Sequence, residues 1–193
     1  MDHPAIKRLI IDFDRIKQDF ISGVCAAPKT SNFLVWKGVI FGPPDTPYED
    51  GTFKIRLRFT KEYPMKPPKV RFVSKMFHPN INDTGDIFID ILDNKWSPMY
   101  DVASLLMAIQ STLNEPNTDF AVNSEAARLF VKNRREYDRR VSETVQWSWY
   151  YTRDMGCIEN LSDDLLHSDE DELEGIIAYS LKYKSSMYDI TND

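Results

Sequence analysis

The hydrophobic period changes halfway along this chain, and that change constrains its fold more than any other feature. Over residues 33–74 apolar and polar side chains alternate, most clearly where Phe53, Ile55, Leu57 and Phe59 are separated by Lys54, Arg56 and Arg58. A period of two puts one face of a strand on a core and leaves the other in water. From residue 102 onward the period becomes helical, first in Val102, Leu105, Leu106, Ile109 and Leu113, then in residues 124–131 and 135–149. Strands followed by helices, without βα alternation, specify an α+β fold with helices against one side of an antiparallel sheet. A further helix precedes the strands, because Ile6, Leu9, Ile10, Phe13, Ile16 and Phe20 share a helical face, with Lys7, Arg8, Asp12, Asp14 and Arg15 between them.

The strand signals cover 33–41, 53–59 and 69–74, punctuated by Gly42-Pro43-Pro44 and by Pro64, Pro67 and Pro68. Residues 77–98 follow neither period and read as a long ordered loop, the kind of segment that carries function in a compact domain. A length of 193 residues suits one domain, expected over 1–152, and an extension over 153–193.

Charge separates the two parts. Residues 154–193 hold 11 acidic and 2 basic side chains, against 22 basic and 19 acidic over 1–153. An acidic arm on a near-neutral body repels nucleic acid and is either a solvating segment or an attractor of basic partners such as histones. Two cysteines, Cys25 and Cys157, are too few for a disulfide framework, and His3, His78 and His167 are too scattered for a zinc site, so no metal or cofactor is expected. No apolar run reaches the roughly 18 residues of a membrane span, and Met1, Asp2 and the residues to Leu9 lack a signal peptide's apolar stretch; the expected compartment is cytoplasm or nucleus.

Four motifs then occur in register: Tyr63-Pro64-Met65-Lys66-Pro67-Pro68, His78-Pro79-Asn80, Gly85-Asp86-Ile87-Phe88-Ile89-Asp90-Ile91-Leu92 and Trp96-Ser97-Pro98. Together they resemble the ubiquitin-conjugating enzyme family over about residues 4–149. Asp50-Gly51-Thr52-Phe53-Lys54 and Val70-Arg71-Phe72-Val73-Ser74-Lys75-Met76-Phe77 are closest to its histone-directed, postreplication-repair branch. The resemblance implies the family's fold, with an N-terminal helix, a four-stranded antiparallel meander and C-terminal helices. It also implies ubiquitin transfer through a cysteine thioester, the cysteine lying within Gly-x-Ile-Cys-Leu-Asp-Ile-Leu. Here that position is Phe88, and a phenyl ring offers neither a nucleophile nor an ionisable group.

By the same resemblance Asn80 is the family's oxyanion-stabilising or loop-bonding asparagine, and Phe120 stands at the gate where a serine or acid usually positions the incoming lysine. Phe88 and Phe120 are expected to pack on each other and close the cleft. Ile6, Ile11 and Asp14 replace expected basic residues on the helix that docks the activating enzyme, leaving Lys7 and Arg8 as its candidate contacts. Met65, Trp96, Pro98 and Met99 lie where RING-type ligases grip such proteins, although Trp96 also suits a packing role. Cys25 and Cys157 match no position the family uses for catalysis.

Within the extension, residues 168–184 predict a short amphipathic helix, with Ser168 as N-cap and acidic residues in its first turn. Leu173, Ile176, Ile177, Ser180 and Leu181 resemble the stripe of a ubiquitin-interacting motif, with Ile176 where that motif prefers alanine. Three functions follow as expectations. One is a catalytically inactive variant that binds a RING-type ligase, an active conjugating enzyme or ubiquitin. The others are a working transferase of the histone-directed branch and an acidic-tailed histone or chromatin adaptor.

Overall fold

The computed structural model describes residues 3–18, 21 and 23–153. Helix α1 (Pro4–Gln18) leads into four strands, β1 (Val24–Lys29), β2 (Asn32–Phe41), β3 (Thr52–Arg58) and β4 (Lys69–Phe72). A single 3₁₀ turn at Asp90–Leu92 precedes α2 (Val102–Asn114), α3 (Ser124–Lys132) and α4 (Arg134–Arg153). The strands form one antiparallel meander in the order β1-β2-β3-β4. This is the α+β architecture expected from the change of period.

One face of the sheet makes the core. Trp36, Ile40, Phe53, Ile55, Leu57, Val70 and Phe72 are buried, together with Leu105, Leu106, Ile109 and Leu113 of α2 and Leu9 of α1. Trp36 anchors this layer: its indole N–H donates to the Phe33 carbonyl at 2.9 Å, and Phe13 and Phe59 meet the ring edge-on. Aromatic pairs in that geometry add about 0.5–1.5 kcal/mol each beyond the area they bury.

Strand β1 precedes the stretch in which apolar and polar residues alternate: Val24 through Pro28 pair with β2, and the register shifts only between Pro28 and Lys29. The strand sits at the sheet edge, where proline costs no ladder bond. Strand β4 is shorter than the 69–74 pattern because the amides of Val73 and Ser74 both turn to the Lys54 carbonyl.

Helix α1 turns much of its expected face inward: Leu9 is buried and Phe13 and Ile16 pack partly buried against the core, joined by Ala5 and Asp12, whereas Ile10 of that face is exposed. The Asp12 carboxylate, 2% exposed, accepts from Tyr63 Oη at 2.5 Å and from Arg8 Nε at 2.8 Å. Those two charge-assisted bonds offset the cost of burying a carboxylate, so a polar residue joins the buried face of the helix. Phe20, the predicted extension 153–193 beyond Arg153, its helix 168–184, Cys157, Leu173, Ile176, Ile177, Ser180 and Leu181 lie outside the described residues.

Candidate functional site

The loop at 77–98 is built around two buried side chains. His78 is fully enclosed; its Nδ1 accepts the Asn80 amide at 3.0 Å, so its Nε2 carries the proton donated to the Thr112 carbonyl at 2.9 Å. Burial pushes the imidazole pKa from 6.5 down to about 4, against a smaller opposing effect of the Thr112 carbonyl. The ring is therefore a neutral structural strut at neutral pH.

Asn80 is the hub of the loop. Its Oδ1 accepts the Asn117 amide at 2.8 Å, and its Nδ2 donates to the carbonyls of Asn117 at 2.8 Å and Phe120 at 3.4 Å. Its own carbonyl accepts the Phe88 amide at 2.9 Å. The preceding residue, Pro79, accepts the amides of Val122 and Asn123 through its carbonyl. The His78-Pro79-Asn80 turn thus ties the 117–123 segment to residue 88, and every polar atom of the Asn80 side chain is committed to the protein backbone. Sequence reasoning did not find Asn117; a backbone partner leaves no residue-type signal.

Gly85 makes the turn that delivers Phe88. Its φ is +87°, and a Cβ there would stand 2.1 Å from the Phe72 carbonyl oxygen. Only glycine accepts both conditions. The Gly85 carbonyl accepts the Phe72 amide, and Asp86 bridges to Arg71, so residues 85–87 run along the outer edge of β4. A second isolated bridge joins Ile81 to Ile87, which gives the long loop more order than its lack of period suggested.

Phe88 and Phe120 do not close a cleft on each other. They are 49% and 73% exposed, and no ring pair joins them among the described residues. Both backbones are tied to Asn80, but their side chains stand in solvent, because anchoring the main chain does not direct the rings together. Cys25 lies half-buried on β1. Three strand spacings, roughly 14 Å, separate that strand from β4, and Phe88 lies beyond it.

A second constellation joins the two loops carrying Met65 and Met99. Arg8 Nη1 donates to the Pro98 carbonyl and Nη2 to the Tyr100 carbonyl, both at 2.8 Å, while Nε holds Asp12. Trp96 Nε1 donates to the Pro64 carbonyl at 2.8 Å, and its ring rests against Tyr63 and Tyr100. Burial and the Asp12 carboxylate raise the Tyr63 hydroxyl well above its usual range. Arg15 meets Asp101 at 2.6 Å, and Asp101 also caps α2 by accepting from Ser104. Arg8 is thus turned inward, beside an exposed Lys7. Met65 and Met99, 72% and 87% exposed, project from loops that this network holds in place.

Among the described residues no group of three or more metal-ligating side chains converges, and no helix is long and apolar enough to cross a membrane. The family model described as ubiquitin-conjugating enzyme matches residues 8–145. Ubiquitin-conjugating enzyme E2 1 of Caenorhabditis elegans is 50% identical over 178 residues, covering 92% of this chain and 90% of that protein.

Proposed function

Because the chain belongs to the ubiquitin-conjugating enzyme family, we propose that it is a catalytically silent member, acting by binding a RING-type ligase, an active conjugating enzyme or ubiquitin. The observation that carries this reading is Phe88, exposed at the end of the Gly85 turn, where the motif resemblance expects the nucleophile. A thioester needs a sulfur atom, and neither a carbon ring nor its neighbours Ile87 and Ile89 supply one. Cys25 sits across the sheet. The Asn80 amide, with both ends committed to backbone partners, serves the loop as a brace.

Binding is supported by the preserved body. Met65 and Met99 form two exposed apolar tips on loops braced by Arg8 and Trp96, Pro98 preceding Met99 in the chain. Exposed methionines suit docking because thioether side chains adapt to irregular partner surfaces. The acidic extension adds a candidate contact for ubiquitin or histones.

A second reading, a working transferase, has in its favour the printed name of the nematode relative. It requires Cys25 or Cys157 to take the thioester. Incubation of the native chain with activating enzyme, ATP and ubiquitin distinguishes the two readings: the silent one expects no reductant-sensitive adduct, and a thioester would refute it.

A further inference from the structure

The loop from Trp96 to Tyr100 carries a hydroxyl that the fold leaves partly unused. Of the 11 prolines in the chain, only Pro47 and Pro98 follow a serine or threonine, giving Thr46-Pro47 and Ser97-Pro98. Such a dipeptide is what a proline-directed protein kinase reads, and the two differ in what their hydroxyls already do. Thr46 Oγ1 donates to the Pro43 carbonyl at 2.7 Å and accepts the Tyr48 amide at 3.2 Å. Donor and acceptor are both committed to that turn. Ser97 Oγ accepts the Met99 amide at 3.3 Å, and its own O–H meets no acceptor among the described residues.

Ser97 also stands where an added charge is felt. Met99, two residues on, is exposed, and the preceding Trp96 donates to the Pro64 carbonyl next to the exposed Met65. The main chain around Ser97 is held independently of its side chain. Its carbonyl accepts the Tyr100 amide at 3.0 Å, and Arg8 grips the carbonyls of Pro98 and Tyr100. The cations at hand are engaged: Lys95 with Asp90 at 2.6 Å, and Arg8 with those carbonyls and Asp12.

We infer that Ser97 is a phosphorylation site for a proline-directed kinase and that its phosphate releases a RING-type partner from the Met65–Met99 surface. The second half rests on the docking reading given above, and neither half involves Phe88. In the modification the γ-phosphoryl group of ATP passes to Ser97 Oγ: the bond to ADP breaks, the bond to Oγ forms, ADP leaves with the electron pair, and the hydroxyl proton goes to a base of the kinase. A phosphoserine carries about −1.5 to −2 charge at pH 7 and three acceptor oxygens. The Met99 amide thus keeps an acceptor and the loop keeps its turn. A partner that covers the methionines with apolar side chains must strip water from the new charge, which opposes docking.

The test incubates the full folded chain with a recombinant mitogen-activated protein kinase and ATP, maps the phosphate by mass spectrometry, and measures binding to a panel of purified RING domains by calorimetry before and after. Phosphate is expected on Ser97, lost in Ser97→Ala and unchanged in Thr46→Ala. The phosphorylated chain is expected to keep its melting temperature and to bind its RING domain about tenfold or more weakly. Ser97→Asp, which adds charge without the kinase, is expected to weaken binding in the same direction. Phosphate on Thr46 in place of Ser97, modification of Ser97 only after urea treatment, or a phosphorylated chain that binds as tightly as the native one would overturn the proposal and leave the docking reading standing. A native chain that binds no RING domain of the panel would remove the docking reading and the switch with it, whereas the mapped phosphate reports on Ser97 alone.

Discussion

Acid should loosen this protein through one buried ring. His78 is fully enclosed and neutral, its pKa pushed from 6.5 to about 4. The unfolded chain exposes the same imidazole to water and takes up a proton at its ordinary pKa. Between pH 6.5 and 4 the unfolded state therefore binds more protons than the folded one, and stability must fall as pH falls. The contribution is fully present above 6.5 and is lost on the way down to about 4. At 1.36 kcal/mol per pKa unit the loss comes to about 3 kcal/mol, a large part of the roughly 5–15 kcal/mol that holds a typical domain together. The assay is urea unfolding at closely spaced pH values, on the native chain and on His78→Gln. Glutamine retains a donor and an acceptor but does not titrate, so subtracting its curve removes the carboxylates' share. The native-minus-variant difference should fall with one-proton slope below pH 6.5. A parallel pair of curves would show that His78 takes up its proton in the fold as readily as in the unfolded chain, so that burial does not hold the ring neutral.

Other consequences are equally specific. Gly85→Ala meets both a positive φ and the Phe72 carbonyl, and should cost more than about 1 kcal/mol in urea unfolding; an unchanged midpoint would mean the turn relaxes freely. Tyr63→Phe leaves one oxygen of the buried Asp12 without its donor, with an expected loss of about 1–3 kcal/mol in the same assay. Met99→Asp, at an 87% exposed position, should leave the melting temperature unchanged while weakening a RING domain that binds the native chain, as read by calorimetry; undiminished binding would move the docking site elsewhere. A peptide of residues 164–186 should shift ubiquitin amide resonances if the extension binds ubiquitin, and no shift at millimolar peptide would remove that contact.

The sheet and the helices were legible because their signal is periodic and repeated. Phe53, Ile55 and Leu57 are buried on one side of β3 as their alternation required, and α2 buries Leu105, Leu106, Ile109 and Leu113 from its helical stripe. Single-residue effects were less visible. Strand β1 is short, contains a proline and owes its place to pairing with β2, which no local pattern announces. The buried face of α1 includes Asp12, because Tyr63 and Arg8, one of them 51 residues away, supply its partners. Tertiary hydrogen bonds overrode hydropathy there. The candidate site was legible as a set of motifs, since the His78-Pro79-Asn80 turn does organise the approach to Phe88. The direction of the rings at 88 and 120 was not, since exposed side chains are set by neighbours that sequence spacing does not encode.

The central claim, that Phe88 at the nucleophile position leaves this chain without thioester chemistry, is tested most directly by charging Phe88→Cys beside the native chain, with activating enzyme, ATP and ubiquitin, on gels with and without reductant. The account predicts a reductant-sensitive adduct for Phe88→Cys and none for the native protein. A native adduct that disappears in Cys25→Ser or Cys157→Ser would contradict it.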